Sequence, residues 1–404
     1  MSLRSLTIAA ALAGVLIVGS GTQGASSAPR AAGSVLAISS PLDGGSTVLR
    51  RLDADTLAPR PGGRFTLGEY HDAWAFSPDR RILAFGTYRR TGLRLVDPVT
   101  LRPVRDVPMP IAAIGLGWVD PERVAVLLQS GGVVLVDARR GQILRRWPFE
   151  YQLPCEGLRQ TVTPHGVVFA IASQTGGGLR LLRIGPSGEL DVADLGRARS
   201  PSTGRGCGVP ALAVEPSGRR AFVAGSHGPA AIVDLRSLHV SYRSERRLTG
   251  PCRLTVRVCT ARRGAIWSTP GVLALSGVER TARPGARPRE RALGVAVVNT
   301  AGRRSRWVDR SAGRVAAMRN GTLLAYGGRR RGIRAVTPSG VTRWTALRGT
   351  LIRTAQATDR RVYVLDAAGK ATYVLDARSG RSLSKSAGRS RLDVLNGRDE
   401  AGDS

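Results

Sequence analysis

The chain has 404 residues, 42% of them hydrophobic and 22% charged, a balance that supplies a buried core and excludes a disordered chain. Its 50 glycines and 23 prolines follow no collagen period and mark turns instead, and with 6 Phe, 7 Tyr and 6 Trp the core has to be aliphatic. Basic residues outnumber acidic ones 61 to 29, a net +32, and all but Lys370 and Lys385 of them are arginine; such a surface attracts polyanions and repels cations.

Residues 1–28 have the pattern of a secretory signal peptide: Arg4, an uncharged apolar run Leu6–Val18, then small residues from Gly19 to Ala28, with cleavage expected between Ala25 and Ala32. The 13 residues of that run fall short of the roughly 20 that span a bilayer, so export without a membrane span is expected. Two strand-like segments follow, Ser34–Ser39 and Ser46–Leu52.

From there two signals alternate. One is an apolar strand closed by a polar turn, anchored at residues 53, 97, 137, 185, 234, 299, 337 and 376, as in Val96-Asp97-Pro98-Val99 and Leu375-Asp376-Ala377-Arg378. The gaps are 44, 40, 48, 49, 65, 38 and 39 residues, averaging about 46. Between these anchors lies a strand–turn–strand unit, clearest in Ala75–Phe85 with its Ser77-Pro78-Asp79-Arg80 turn and repeated around Val119-Asp120-Pro121, Thr163-Pro164-His165-Gly166 and Glu215-Pro216-Ser217-Gly218. The 65-residue gap holds an arginine-rich insertion, Gly277–Ala292, expected as a solvated loop. A spare strand, Arg391–Leu395, comes last, and residues 397–404 read as a mobile polar tail.

Two hairpins per repeat make four strands, and a four-stranded sheet buries both faces only against its neighbours. The expected fold is therefore all-β: a β-propeller over residues 33–396 with eight four-stranded antiparallel blades (seven being the alternative), closed by the last strand joining the first blade on its channel side. Val214–Gly225 followed by Ala231–Leu235 resembles the bacterial YVTN-type repeat. Ala75–Phe85 is similar to the repeat of TolB-like propellers, and Leu135–Leu144 resembles that of the quinoprotein-like group. The resemblance implies the fold. The paired adjacent cysteines of some quinone enzymes have no counterpart here, nor does the tryptophan–aspartate signature of another large propeller group.

Candidate ligand-binding residues sit in loops of the rim where the inter-blade connections lie: Glu69, His71 and Asp72 between blades, and Arg89, Arg90, Arg329 and Arg330 in loops between second and third strands. Cys155, Cys207, Cys252 and Cys259 make an even count, which in an exported chain favours two disulfides; Cys155 with Cys207 is the pairing suggested by context, although Cys252 and Cys259 then lie too far apart along one extended segment. No catalytic set, metal-ligand spacing or cofactor motif stands out, and the insertion lacks the aromatic residues that stack nucleic-acid bases. The expected function is a monomeric, secreted or envelope-retained, non-catalytic binding platform for a protein or an anionic envelope polymer. The alternative is a propeller enzyme (lactonase, lyase or quinone-dependent oxidoreductase) working at the channel mouth.

Overall fold

The computed structural model describes residues 33–395 apart from 42–45, 69–72, 88–91, 130–131, 149–157, 173–177, 198–207, 226–229, 244–257, 283–288, 301–304 and 388–389. All regular structure in the described residues is β-strand. Blade 2 shows how the repeat folds: Trp74–Phe76, Leu83–Thr87, Gly92–Val96 and Pro103–Pro108 pair antiparallel in chain order, innermost strand first. Its first turn closes through Arg80 N donating to Ser77 O (2.8 Å), while Ser77 Oγ accepts from Ile82 N (3.0 Å). Its second turn is held by Asp97 Oδ1, which accepts from the amides of Val99 (2.7 Å) and Thr100 (3.1 Å). The aspartate anchors of the sequence repeat thus act as side-chain caps of the turn between third and fourth strands, a role repeated by Asp53, Asp234 and Asp376.

Blades 3 to 6 begin with the inner strands Ala113–Trp118, Leu158–Thr163, Ala211–Val214 and Val258–Thr269. Blades 7 and 8 form one seven-stranded sheet, because the 16-residue strand Thr342–Ala357 first pairs with Arg331–Val336 as the outer strand of blade 7 and then, from Ile352, with Arg361–Asp366 as the inner strand of blade 8. Seven hydrogen-bonded sheets therefore hold eight blades, the number the repeats predict. Ser390–Leu395 pairs antiparallel with Ser34–Pro41, setting Val394 opposite Ala37, so the last strand completes the first blade as expected.

Apolar alternation puts one face of each blade against each neighbour, and the buried side chains gather into eight clusters, one per junction. The seam between blades 8 and 1 is packed like the rest, by Tyr363, Val374, Ala37 and Val394. Trp118 and Trp267 end two inner strands at corresponding places, and each indole donates to a carbonyl of the preceding blade's inner strand, Ala75 O at 3.0 Å and Ala213 O at 3.2 Å. Trp344 performs a similar task from an outer strand, reaching Ala377 O of the next blade (3.1 Å).

Arginine is the other fastener. Arg51, Arg105, Arg145, Arg183 and Arg306 each reach from one blade to backbone carbonyls in the third-to-fourth-strand turn of the next, at Pro98, Arg140, Gly188, Arg236 and Pro338 respectively. Arg361 does the same across the ring seam through the carboxylate of Asp55 (2.6 Å). Six arginines of the basic excess thereby join blades. The turn Thr163–Gly166 contains His165 as a turn residue, and it requires glycine last: Gly166 has φ +111°, and a Cβ there would lie 1.9 Å from Ile184 O.

The insertion expected as a solvated loop is mostly sheet. Val272–Ala282 and Arg289–Asn299 form a ladder of 11-residue strands in which Thr281 still opposes Arg289, and the inner strand is lengthened to match, down to Val258 opposite Ala282. Among the described residues no helix is long and apolar enough to cross a membrane.

Candidate functional site: the central channel

The inner strands of blades 4 to 8 surround a cavity of about 510 Å³ in the centre of the ring. Three of them, in blades 4, 6 and 8, are more polar than those of blades 2 and 5: Leu158–Thr163 brings Arg159, Gln160 and Thr161 to the wall, Val258–Thr269 brings Arg263, and the inner half of Thr342–Ala357 brings Thr354 and Gln356. Because each blade is radial, the free backbone edge of its inner strand also faces the channel. Gln160 Oε1 caps one such edge by accepting from Leu116 N at 2.7 Å. Gln356 Oε1 is buried and has no hydrogen-bond partner among the described residues.

The charges in the wall are strongly constrained. Arg263 is 2% exposed and faces Glu279 on the neighbouring strand, Nη2 to Oε1 at 3.6 Å; burial pulls the guanidinium below its ordinary pKa, and the carboxylate opposes that pull. Glu215 is the one carboxylate among the residues that line the cavity. Arg220 grips both its oxygens, at 2.7 and 2.9 Å, and this pair, more than the opposing burial, holds the carboxyl below the usual glutamate range. A glutamate fixed in that way is a poor proton acceptor at neutral pH. The arrangement offers guanidinium, hydroxyl and amide groups to a polar or anionic guest.

Of the loop residues singled out from sequence, Glu69, His71, Asp72, Arg89 and Arg90 lie outside the described residues. Arg329 is exposed in the loop between the second and third strands of blade 7. Arg330 turns inward to Asp309 of blade 6 (2.7 Å), which also meets Arg334 (3.2 Å). Burial raises the Asp309 carboxyl, but Ser311 and the two arginines outweigh it and the group stays below its ordinary value. Arg330 thus fastens a junction. Cys155, Cys207 and Cys252 also lie outside the described residues, and Cys259 belongs to the inner strand of blade 6. The channel residues belong to no motif that stands out in the sequence; the signal for them is an Arg-Gln-Thr or Thr-Ala-Gln run one residue before a hairpin turn.

The turn carboxylates give the fold an acid limit. Amides of Ser237 and Arg236, the Ser237 hydroxyl and Arg219 hold Asp234 at about 2, and Arg60 together with the amides of Thr56 and Asp55 lowers Asp53 further still. Groups depressed on folding stabilise the protein above their unfolded pKa of about 4 and lose that contribution as pH falls through the folded value. Melting temperature is therefore expected to fall between about pH 4 and pH 2. Asp234→Asn keeps the capping oxygen without the titration, so it should flatten this part of the profile; an unchanged slope would refute the capping role.

No protein-family model matches the chain, and no curated protein matches it. Solved structures do. A dihydro-heme d1 dehydrogenase, NirN, in complex with DHE is 16% identical with a TM-score of 0.59, covering 89% of this chain and 74% of its own. Apo AztD from Citrobacter koseri is 13% identical with a TM-score of 0.55, covering 89% and 96%. At these identities the likeness is one of fold. With the eight packed junctions and the turn grammar, it makes the chain a β-propeller.

Proposed function

We propose that this chain is an exported, non-catalytic binding platform whose channel receives an anionic group of a cell-envelope partner, protein or polymer. The observation that carries the proposal is the 510 Å³ cavity with Arg159 and Arg263 in its wall, in a chain of net charge +32. Rigid blades with packed junctions hold these groups in place before a partner arrives, which limits the ordering cost of binding. Export rests on the leader pattern of residues 1–28.

The test uses protein recovered from the envelope or medium, its first residue expected between Ala25 and Ala32, titrated with hexaglutamate and with hexaglutamine as the neutral control. Hexaglutamate should bind and hexaglutamine should not. Arg159→Ala should weaken binding about tenfold, the scale of one charge-assisted hydrogen bond, and affinity should fall as salt rises above about 0.1 M. Equal binding of the two peptides, or no effect of Arg159→Ala, overturns the reading.

A further inference from the structure

Blades 7 and 8 gather positive charge at the rim that carries the inter-blade connections. Four segments meet there: 309–313 entering blade 7, 327–331 between its second and third strands, 347–351 within the shared strand Thr342–Ala357, and 366–370 between the second and third strands of blade 8. Hydrogen bonds tie each to the next. Arg330 N donates to Ser311 O (3.2 Å), Arg331 Nη1 to Gly349 O (3.1 Å) and Ala367 N to Leu351 O (2.8 Å). One continuous surface results, and Arg310, Arg329, Arg331, Arg348 and Lys370 are exposed on it.

The carboxylates of these segments do not neutralise that charge. There are two, Asp309 and Asp366. Asp309 is buried and engaged by Arg330 and Arg334, and Asp366 is half-buried, its Oδ1 accepting from Lys370 N at 2.8 Å. The side chains of Arg310, Arg329, Arg348 and Lys370 have no partner among the described residues. On the opposite rim carboxylates are interspersed, and Arg139 meets Glu122 (3.0 Å), Arg219 meets Asp234 (3.2 Å) and Arg319 meets Asp359 (3.1 Å). A field without counter-charges of its own draws an anionic partner.

An apolar residue stands amid this charge. Leu347 (φ +53°) and Gly349 (φ +90°) bend the shared strand, and a Cβ built on Gly349 would meet nothing within 4 Å. Just beyond, Leu351 is 44% exposed between Arg331, its ladder partner, and Ala367. Cations around an outward leucine suit the boundary of a lipid bilayer, where the charges meet phosphate headgroups and the leucine leaves water. A soluble polyanion would use the charges and leave the leucine in water.

We propose that this rim of blades 7 and 8 docks reversibly on the surface of an anionic lipid bilayer, through Arg310, Arg329, Arg331, Arg348 and Lys370, with Leu351 entering the headgroup boundary. The surface is separate from the channel, and either can fail without the other.

Co-sedimentation of the mature protein with vesicles tests this, comparing equimolar phosphatidylglycerol and phosphatidylcholine with phosphatidylcholine alone in about 0.15 M salt. The mixed vesicles should bind the protein and the neutral ones should not. Each cation near such a surface contributes about fivefold, so Arg310→Ala, Arg329→Ala and Arg348→Ala combined should weaken binding roughly hundredfold. Arg102→Ala, Arg378→Ala and Arg381→Ala combined remove the same charge from exposed sites on the opposite rim. Lying more than a Debye length from the docked face, they should change binding by less than about threefold. Leu351→Ser should weaken it about tenfold at unchanged charge, and Arg159→Ala should leave it unaltered. Equal losses in the two triple variants would mean attraction by net charge, and full binding by Leu351→Ser would mean a soluble polyanion as the partner. Either result overturns the proposal, as does binding to the neutral vesicles. Should the first triple variant fail to fold, Arg348→Ala alone, with an expected loss of about fivefold, carries the same test.

Discussion

Deleting residues 390–404 is expected to cost the protein its cooperative melt. The deletion removes the whole Ser390–Leu395 strand, with its ladder from Leu36–Leu395 to Pro41–Ser390, and takes Leu395 from the junction of blades 1 and 2 and Val394 from that of blades 8 and 1. Both side chains are under 5% exposed, and each buried aliphatic is worth about 1.5–3 kcal/mol. Adding about 1 kcal/mol for each ladder hydrogen bond brings the loss near the 5–15 kcal/mol that keeps a typical domain folded. Val394→Asp should destabilise by at least about 3 kcal/mol through a buried, unpaired charge, whereas deleting 397–404 alone should leave the melting temperature unchanged. Calorimetry on the three variants decides the matter. A wild-type transition in the 390–404 deletion would show that the ring is not held shut by this strand.

The second large effect is expected at Trp118. It is fully buried in the cluster joining blades 2 and 3 and donates to Ala75 O. Trp118→Ala should cost about 3–5 kcal/mol by denaturant titration, the range for emptying an aromatic site in a core. Trp118→Phe keeps most of the packing but leaves the Ala75 carbonyl without its donor, which should cost about 1–2 kcal/mol. Trp267→Phe should behave alike, because it breaks the corresponding bond to Ala213 O, and the two phenylalanine substitutions should add because they act at separate junctions. If Trp118→Phe is neutral, the indole hydrogen bond contributes nothing and the residue serves by bulk alone.

The architecture was legible because it rests on local chemistry repeated many times. Aspartates such as Asp97 and Asp234 mark turns through bonds to amides two and three residues on, and those short-range spacings survive in sequence. The closing strand was legible from the strand count at the two ends of the chain, since Ser34–Ser39 and Ser46–Leu52 left the first blade incomplete. What was hidden depends on how separate repeats are juxtaposed. Arg51 and Arg183 look like surface charge until the ring brings the next blade's turn carbonyls within reach. Arg330 reads from sequence as a loop cation because nothing there sets Asp309 beside it. The insertion read as a loop on account of its prolines and arginines, yet Thr281 and Arg289 pair because Val258–Ala261 lengthens beside them.

The unbroken run from Thr342 to Ala357 sets blades 7 and 8 apart from every other pair. Between blades 5 and 6 the backbone pairing is only the short parallel one of Gly208 and Val209 with Ala261 and Arg262, whereas side-chain clusters form the other described junctions. In blades 7 and 8 a common backbone rail of 16 residues couples the two. The welded pair also abuts the seam beside the blade in which the two ends of the described chain pair, so a continuous backbone stands directly next to the ring closure.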